Sequence, residues 1–161
     1  MSQDRRSLQD PVVAVRSALV TLGAGDTVRT FASDVPTAAA AAAELGCDVA
    51  AIANSLVFEL DGSPLLILAS GAARVDTKLV AAQLGTGRIR RASPEFVLAH
   101  TGQHVGGVAP VGHPAPIPTV LDASLRNHPV LWAGAGNRRS MFSIGFDELR
   151  RIIGAEVMQV R

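Results

Sequence analysis

Glycines and prolines crowd residues 101–119, with Gly106-Gly107-Val108-Ala109-Pro110-Val111-Gly112-His113-Pro114 at the centre. Glycine lets a backbone approach a ligand with no Cβ in the way, and flanking prolines stiffen the loop so that its N–H groups stay aimed at one point. Main-chain donors held in this way can bind a carbonyl or a developing oxyanion. Gly106 and Gly107 are therefore the candidate catalytic donors, and Pro110 is the residue expected to fix the loop. His113, inside the same loop, is a candidate for orienting a substrate. A plain surface loop is the competing account, and the density of special residues favours function over it.

Other chemistries fit less well. A Walker-type phosphate loop ends in Gly-Lys-Ser/Thr, whereas the sole lysine stands in Asp76-Thr77-Lys78 with no such loop before it. Gly134-Ala135-Gly136-Asn137 has no third glycine and no helix after it, so it reads as a tight turn and not a dinucleotide fingerprint. Gly134 and Gly136 are accordingly grouped with the residues expected beside a substrate. His100 and His104 have a zinc-compatible spacing, but Gly102 lies between them and no third ligand is near, so no metal and no cofactor is expected. His128 precedes Pro129 in a turn and carries no signal. A Gly-x-Ser-x-Gly elbow is absent and no Cys–His pair is evident. Any hydrolysis would proceed without an obvious protein nucleophile.

The balance of the chain agrees with local, not global, attraction for polyanions. The 161 residues carry a net charge of +1 and a pI near 8.1, too little basic excess for a strong nucleic-acid binder. Two short basic clusters, Arg88-Ile89-Arg90-Arg91 and Arg138-Arg139, could touch RNA phosphates, with a solvated face as the default. Five Phe, one Trp and no Tyr make a base-stacking platform improbable. Cys47 has no cysteine partner for a disulfide and reads as a structural thiol, which favours a reducing, cytoplasmic setting. Neither a secretory signal nor a membrane span is expected, since the longest apolar run is strand-sized.

With 48% apolar residues the chain has ample material for one core, and a single domain over residues 1–161 is expected, with residues 1–10 as a flexible arm. Val12, Val15, Leu19 and Leu22 recur at helical spacing, predicting a helix over 12–22. A strand over 28–31 follows, then a helix over 38–45 whose six alanines favour close packing. Strands over 55–60 and 65–70, joined by Asp61-Gly62-Ser63-Pro64, predict a hairpin at the heart of the sheet. Asp76 caps a helix over 77–84, a strand spans 88–91, and Ser93-Pro94-Glu95 opens a helix to about residue 100. Residues 101–119 are expected as a structured loop. Strands over 130–133 and 141–144, a helix over 146–153 and a strand over 156–160 close the chain. Hairpins mixed with crossovers imply a mixed α/β sheet, not a doubly wound parallel one.

The order of Ser55-Leu56-Val57-Phe58, Val75-Asp76, Leu84-Gly85, Thr101-Gly102, the loop from Gly106 to Gly112, Pro118-Thr119 and Leu121-Asp122 resembles the YbaK/EbsC family, also known as prolyl-tRNA-synthetase-associated editing domains. The resemblance runs from about residue 12 to residue 160, and its Gly-x-x-x-Pro element, Gly106 to Pro110, is the most specific part. It implies an α/β fold, a mixed, barrel-like curled β-sheet surrounded by helices. It also implies deacylation of misacylated tRNA at its acceptor end, with prolyl-tRNA synthetase as the associated partner and neither membrane nor DNA. Thr37, Asn54 and Ser55 would line the amino-acid pocket. Family members usually carry lysine before the residue that begins the central strand; this chain has Asn54. Met141 and Phe142 stand near where some alanine-editing members use histidine. A non-catalytic module for a tRNA 3′ end, nucleotide or small metabolite is the alternative that the missing lysine motivates.

Overall fold

The structure, a computed structural model, describes residues 10–161. Of the N-terminal arm expected over residues 1–10, all but Asp10 lies outside the described residues. Asp10 starts the first helix, α1 (Pro11–Thr21): its carboxylate accepts the Val12 N–H at 3.0 Å, and Pro11 occupies the first turn, where a missing N–H is harmless. Val12, Val15 and Leu19 are buried as their spacing predicts, but Leu22 is the C-terminal cap and stays 38% exposed, because the helix stops one residue earlier.

Eight strands form one mixed sheet: β1 (Val28–Thr30), β2 (Ile52–Leu60), β3 (Ser63–Ser70), β4 (Ile89–Arg91), β5 (Thr119–Asp122), β6 (Leu131–Gly134), β7 (Ser140–Ile144) and β8 (Glu156–Met158). Their order is β1-β7-β6-β2-β3-β5-β8, with β4 added beside β2. The path is open, its ends β1 and β8 being unpaired with each other, so the sheet is curled and not a closed barrel. β2 and β3 are antiparallel, whereas β2–β6, β3–β5 and β5–β8 are parallel. The helices α2 (Ala38–Leu45), α3 (Thr77–Leu84), α4 (Pro94–Thr101) and α5 (Phe146–Ile153) surround it.

The central hairpin turns as its residues require. Asp61 and Gly62 both take positive φ, 52° and 82°, the pair of left-handed conformations that matches the twist of two flanking strands. Behind it β3 is buried from Leu65 to Ser70, and its side chains alternate between two cores. Leu66 and Leu68 pack with Val15, Leu19, Leu121, Phe142 and Leu149, whereas Leu65 and Ile67 pack with Val80 and Val120. Burying each such side chain stabilises the fold by about 1.5–3 kcal/mol. A third cluster joins Ala41 and Ala42 of α2 to Phe31, Ile52 and Met141, with half-buried Cys47 against it. Burial pushes the Cys47 thiol up, away from thiolate chemistry.

Asp122 is 3% exposed, and its carboxylate is fully engaged. It accepts the Ser70 N–H at 2.9 Å and both the N–H and hydroxyl of Ser124, locking the end of β5 to the end of β3. β5 is not among the expected strands and takes the last residue of the expected loop, Thr119: only four residues long and opening directly after Pro118, it offers too little periodicity to read, and its pairing with β3 and β8 creates it.

Candidate active site in the gap of the central strand

On the edge of β2 opposite β3, β6 pairs only with Ile52 and Ala53, and β4 pairs only from Phe58 to Leu60. Between them no strand covers residues 54–57 among the described residues. The segment that lies there is the glycine loop. Together they enclose a cavity of about 220 Å³ lined by Thr37, Asn54, Ser55, Gly106, Gly107 and Gly134, among others. Six of the nine residues singled out in the sequence thus meet at one place. Its apolar wall comes from Val35, Ala38, Ala41, Ile52, Ala53 and Met141, and among the described residues no charged side chain lines it.

Each element has a physical reason to be there. Thr37 caps α2, its Oγ1 accepting the Ala40 N–H at 3.1 Å, which leaves the hydroxyl proton available to a ligand. The cap also sets the positive end of α2 at the cavity wall. Ser55 is half-buried, and its Oγ is a buried polar atom with no hydrogen-bond partner among the described residues. Such an atom is uncommon in a folded protein and marks a place where a ligand or water is expected. Asn54 is exposed at the rim.

The loop is laid backbone against backbone on the β6–β7 turn, which is why glycines occupy it. A Cβ on Gly107 would stand 2.5 Å from the Asn137 carbonyl carbon, and one on Gly134 would stand 2.7 Å from the Val108 carbonyl oxygen. Gly106 has φ +95°, and a Cβ there would meet Arg138 Nε at 2.9 Å. Arg138 in turn donates to the Val105 carbonyl at 3.4 Å, so a guanidinium rests on the rim of the loop. Its neighbour Arg139 is held away in an ion pair with Asp34 at 3.2 Å.

Hydrogen bonding within the loop distinguishes its amides. The Gly107 N–H is engaged with the His104 carbonyl at 3.2 Å, and the Gly107 carbonyl accepts from Gly136 at 2.9 Å. Among the described residues the N–H groups of Gly106 and Val108 have no acceptor, although Val108 is only 7% exposed. A buried backbone N–H without a partner is rare, which singles out Val108; Gly106 is exposed, and its N–H is open at the cavity mouth.

Gln103, which no sequence signal pointed to, holds the loop from within. It is 1% exposed; its Oε1 accepts the Ala109 N–H at 2.6 Å and its Nε2 donates to the Val111 carbonyl at 3.3 Å. Thr101 supports it, its Oγ1 accepting the Gln103 N–H at 3.0 Å and donating its one proton to the Val97 carbonyl at 2.7 Å, with the Gln103 carbonyl at 3.0 Å as the alternative acceptor.

Three expected site residues fall elsewhere. Pro110 and His113 lie on a different groove, against α1, because the chain turns away after Val108 to meet Gln103. Gly136 faces a surface hollow with Pro11, Asp34 and His104, where a Cβ would meet the Pro11 backbone at 2.9 Å. His113 Nε2 bonds the Ala109 carbonyl at 2.8 Å, and burial lowers its pKa below the usual histidine value, partly offset by that bond. Its folded pKa therefore lies below its unfolded one, near 6.5. Stability from this group is fully present above about pH 6.5 and is lost as pH falls through the folded value. The melting temperature should drop on acidification below about pH 6.5, and less steeply in His113→Gln. Equal slopes in the two proteins would show that His113 is solvated. The His100 ring packs on Phe96 at 4.3 Å, and no three potential ligand side chains gather for a metal among the described residues.

The open mixed sheet with helices around it superposes on solved structures over nearly its whole length. A candidate trans-editing enzyme for prolyl tRNA synthetase superposes with a TM-score of 0.89 at 36% identity, over 95% of this chain and 98% of that one. The hypothetical protein APE2540 gives 0.84 at 28% identity, over 91% and 98%. In sequence, the uncharacterized protein YwhH of Bacillus subtilis strain 168 is 31% identical over 137 residues, 84% of this chain and 87% of its own. The aminoacyl-tRNA editing domain profile matches residues 32–152, from just after β1 into the last turn of α5. The chain belongs to the aminoacyl-tRNA editing domain family. No helix among the described residues is long and apolar enough to cross a membrane.

Proposed function

We propose that the protein is a hydrolase that cleaves the ester of a misacylated tRNA, taking a small wrong amino acid from tRNA for proline. The observation that carries this reading is the cavity between β2 and the glycine loop, with two unpaired amides beside an unpartnered serine hydroxyl. At about 220 Å³ the cavity is smaller than the roughly 300–1,000 Å³ typical of drug-sized ligand sites, which suits a side chain such as that of alanine, cysteine or serine.

In this mechanism the ester carbonyl oxygen lies against the Gly106 and Val108 N–H groups. Water adds to the carbonyl carbon, the resulting oxyanion is held by those amides, and the bond to the ribose oxygen breaks. The leaving oxygen takes a proton as the free amino acid departs. Among the described residues the cavity wall holds no cysteine, histidine or carboxylate that could activate its serine and threonine hydroxyls, so the nucleophile in this reading is water or a group of the substrate itself. The Ser55 hydroxyl is placed to orient it. Pre-aimed donors in a site with little water are the main source of acceleration. The protein works in the cytoplasm, where charged tRNA is found, alone or beside prolyl-tRNA synthetase.

The uncharged rim at Asn54 supports a second reading, a binding module without turnover. Calorimetry and hydrolysis measured side by side separate the two. Release of amino acid from charged tRNA supports the hydrolase, whereas binding with no release supports the module; neither signal removes both.

A further inference from the structure

The cavity does not end at the glycine loop. A second groove shares Ser55, Leu56, Val105, Gly106 and Val108 with it and continues to Arg74, Thr77 and Arg91. A third shares Thr77 and Arg91 with the second and continues along α3 and β4 to Lys78, Arg88 and Arg90. The volumes grow outward, from about 220 to 520 to 820 Å³. A narrow pocket opening into a widening trough suits a polymer whose end group enters the pocket.

The trough is lined by one sign of charge. Arg74, Lys78, Arg88, Arg90 and Arg91 are all exposed, and among the described residues none makes an ion pair or donates a side-chain hydrogen bond. By contrast Arg16, Arg139 and Arg151 are all paired with carboxylates. Acidic neighbours are few: Asp76 spends its carboxylate capping α3, and Glu59 stands opposite Arg90 in register without reaching ion-pair distance. Segments 74–78 and 88–91, at opposite ends of α3 and its turn, are brought to one trough by α3 lying beside β4. In a chain with a net charge of only +1, this is a local concentration of cations.

The geometry points to this trough as the seat of the tRNA acceptor strand, with Arg74 and Arg91 beside the phosphates nearest the 3′ end and Lys78, Arg88 and Arg90 on those behind. The inference rests on the hydrolase reading of the cavity, or on the module reading in its tRNA 3′-end form, since each of these puts a 3′ end in it. Arginine suits the task because its fork grips phosphate oxygens without reading sequence. The trough thus selects an RNA end by charge while the cavity selects what it carries.

The test compares Arg74→Gln/Arg88→Gln/Arg91→Gln with a charge-matched control, Arg16→Gln/Arg150→Gln/Arg151→Gln, both confirmed to melt as cooperatively as the parent. The probe is an uncharged RNA minihelix ending in single-stranded CCA, titrated at several salt concentrations. The slope of log affinity against log salt should shrink by about 2 to 3 in the trough variant, at roughly 0.7–0.9 for each phosphate no longer neutralised, with affinity at low salt falling roughly tenfold or more. The control should keep the parental slope. A trough variant with the parental slope, or a control that loses as much, overturns the assignment. A second arm uses an amino-acid ester of adenosine, which has no phosphates. Equal hydrolysis by parent and trough variant supports the separation of trough from cavity, and a parallel loss of this activity overturns it. If neither protein hydrolyses the ester while the minihelix result holds, the hydrolase reading fails and the trough stands.

Discussion

Gln103→Leu is expected to lower the unfolding free energy by about 2–6 kcal/mol, the largest effect of any single substitution in the loop. The shape of the side chain is roughly kept, but its two hydrogen bonds are not. Ala109 is fully buried and Val111 is 6% exposed, so neither the N–H of the first nor the carbonyl of the second can turn to water. Each buried backbone group left without a partner costs about 1–3 kcal/mol, and the two sum to the stated range. The loss should appear as a lower denaturant midpoint at unchanged slope, the signature of changed stability without a changed denatured state. Because the same bonds hold Ala109 directly behind Val108, residual hydrolysis by the folded fraction should also fall. A variant as stable as the parent would mean that the loop is held by other contacts.

Asn54→Lys should raise kcat/KM for a misacylated tRNA by about tenfold. Position 54 is exposed at the rim of a cavity with no charged lining, and it belongs to the stretch of β2 that no neighbouring strand covers. A hydrogen bond from a cation is worth roughly 1.5–3 kcal/mol, against about 0.5–1.5 for a neutral one, and a gain near 1.4 kcal/mol in the transition state is tenfold in rate. The increase should sit mainly in kcat if the lysine meets developing charge, and in KM if it meets a standing phosphate. A variant no faster than the parent would place the reacting ester away from Asn54. Arg138, resting on Gly106, and the positive end of α2 then become the positive charges that matter at this site.

The fold was legible wherever punctuation was local. Asp76 and Gly85 bracket α3 at its observed bounds, because one caps through its carboxylate and the other takes the left-handed φ of 68° that ends the helix. Asp61-Gly62 announced the hairpin for the same kind of reason. Strand limits were less visible: β2 begins at Ile52, three residues before its β-rich run, because Ile52 and Ala53 are recruited by pairing with β6. The site divided along the same line. Glycines 106, 107 and 134 were readable as close-approach residues, yet which amides remain unpaired depends on the His104 turn and the Gln103 staple, contacts made only once the loop folds back on itself. Pro110 and His113 looked like site residues by proximity in sequence. They point elsewhere because that staple reverses the chain between Val108 and Val111.

The account turns on whether an ester is cleaved in the gap beside β2. The most direct measurement is the release of free amino acid when the purified protein is incubated with alanyl-, cysteinyl- and seryl-tRNA, read against buffer and against Ala41→Phe, whose ring would fill the cavity from the α2 side. The account predicts release above buffer for at least one of the three by the parent protein, and its loss in Ala41→Phe. No release from any of them would contradict it, and so would release that survives with the cavity filled.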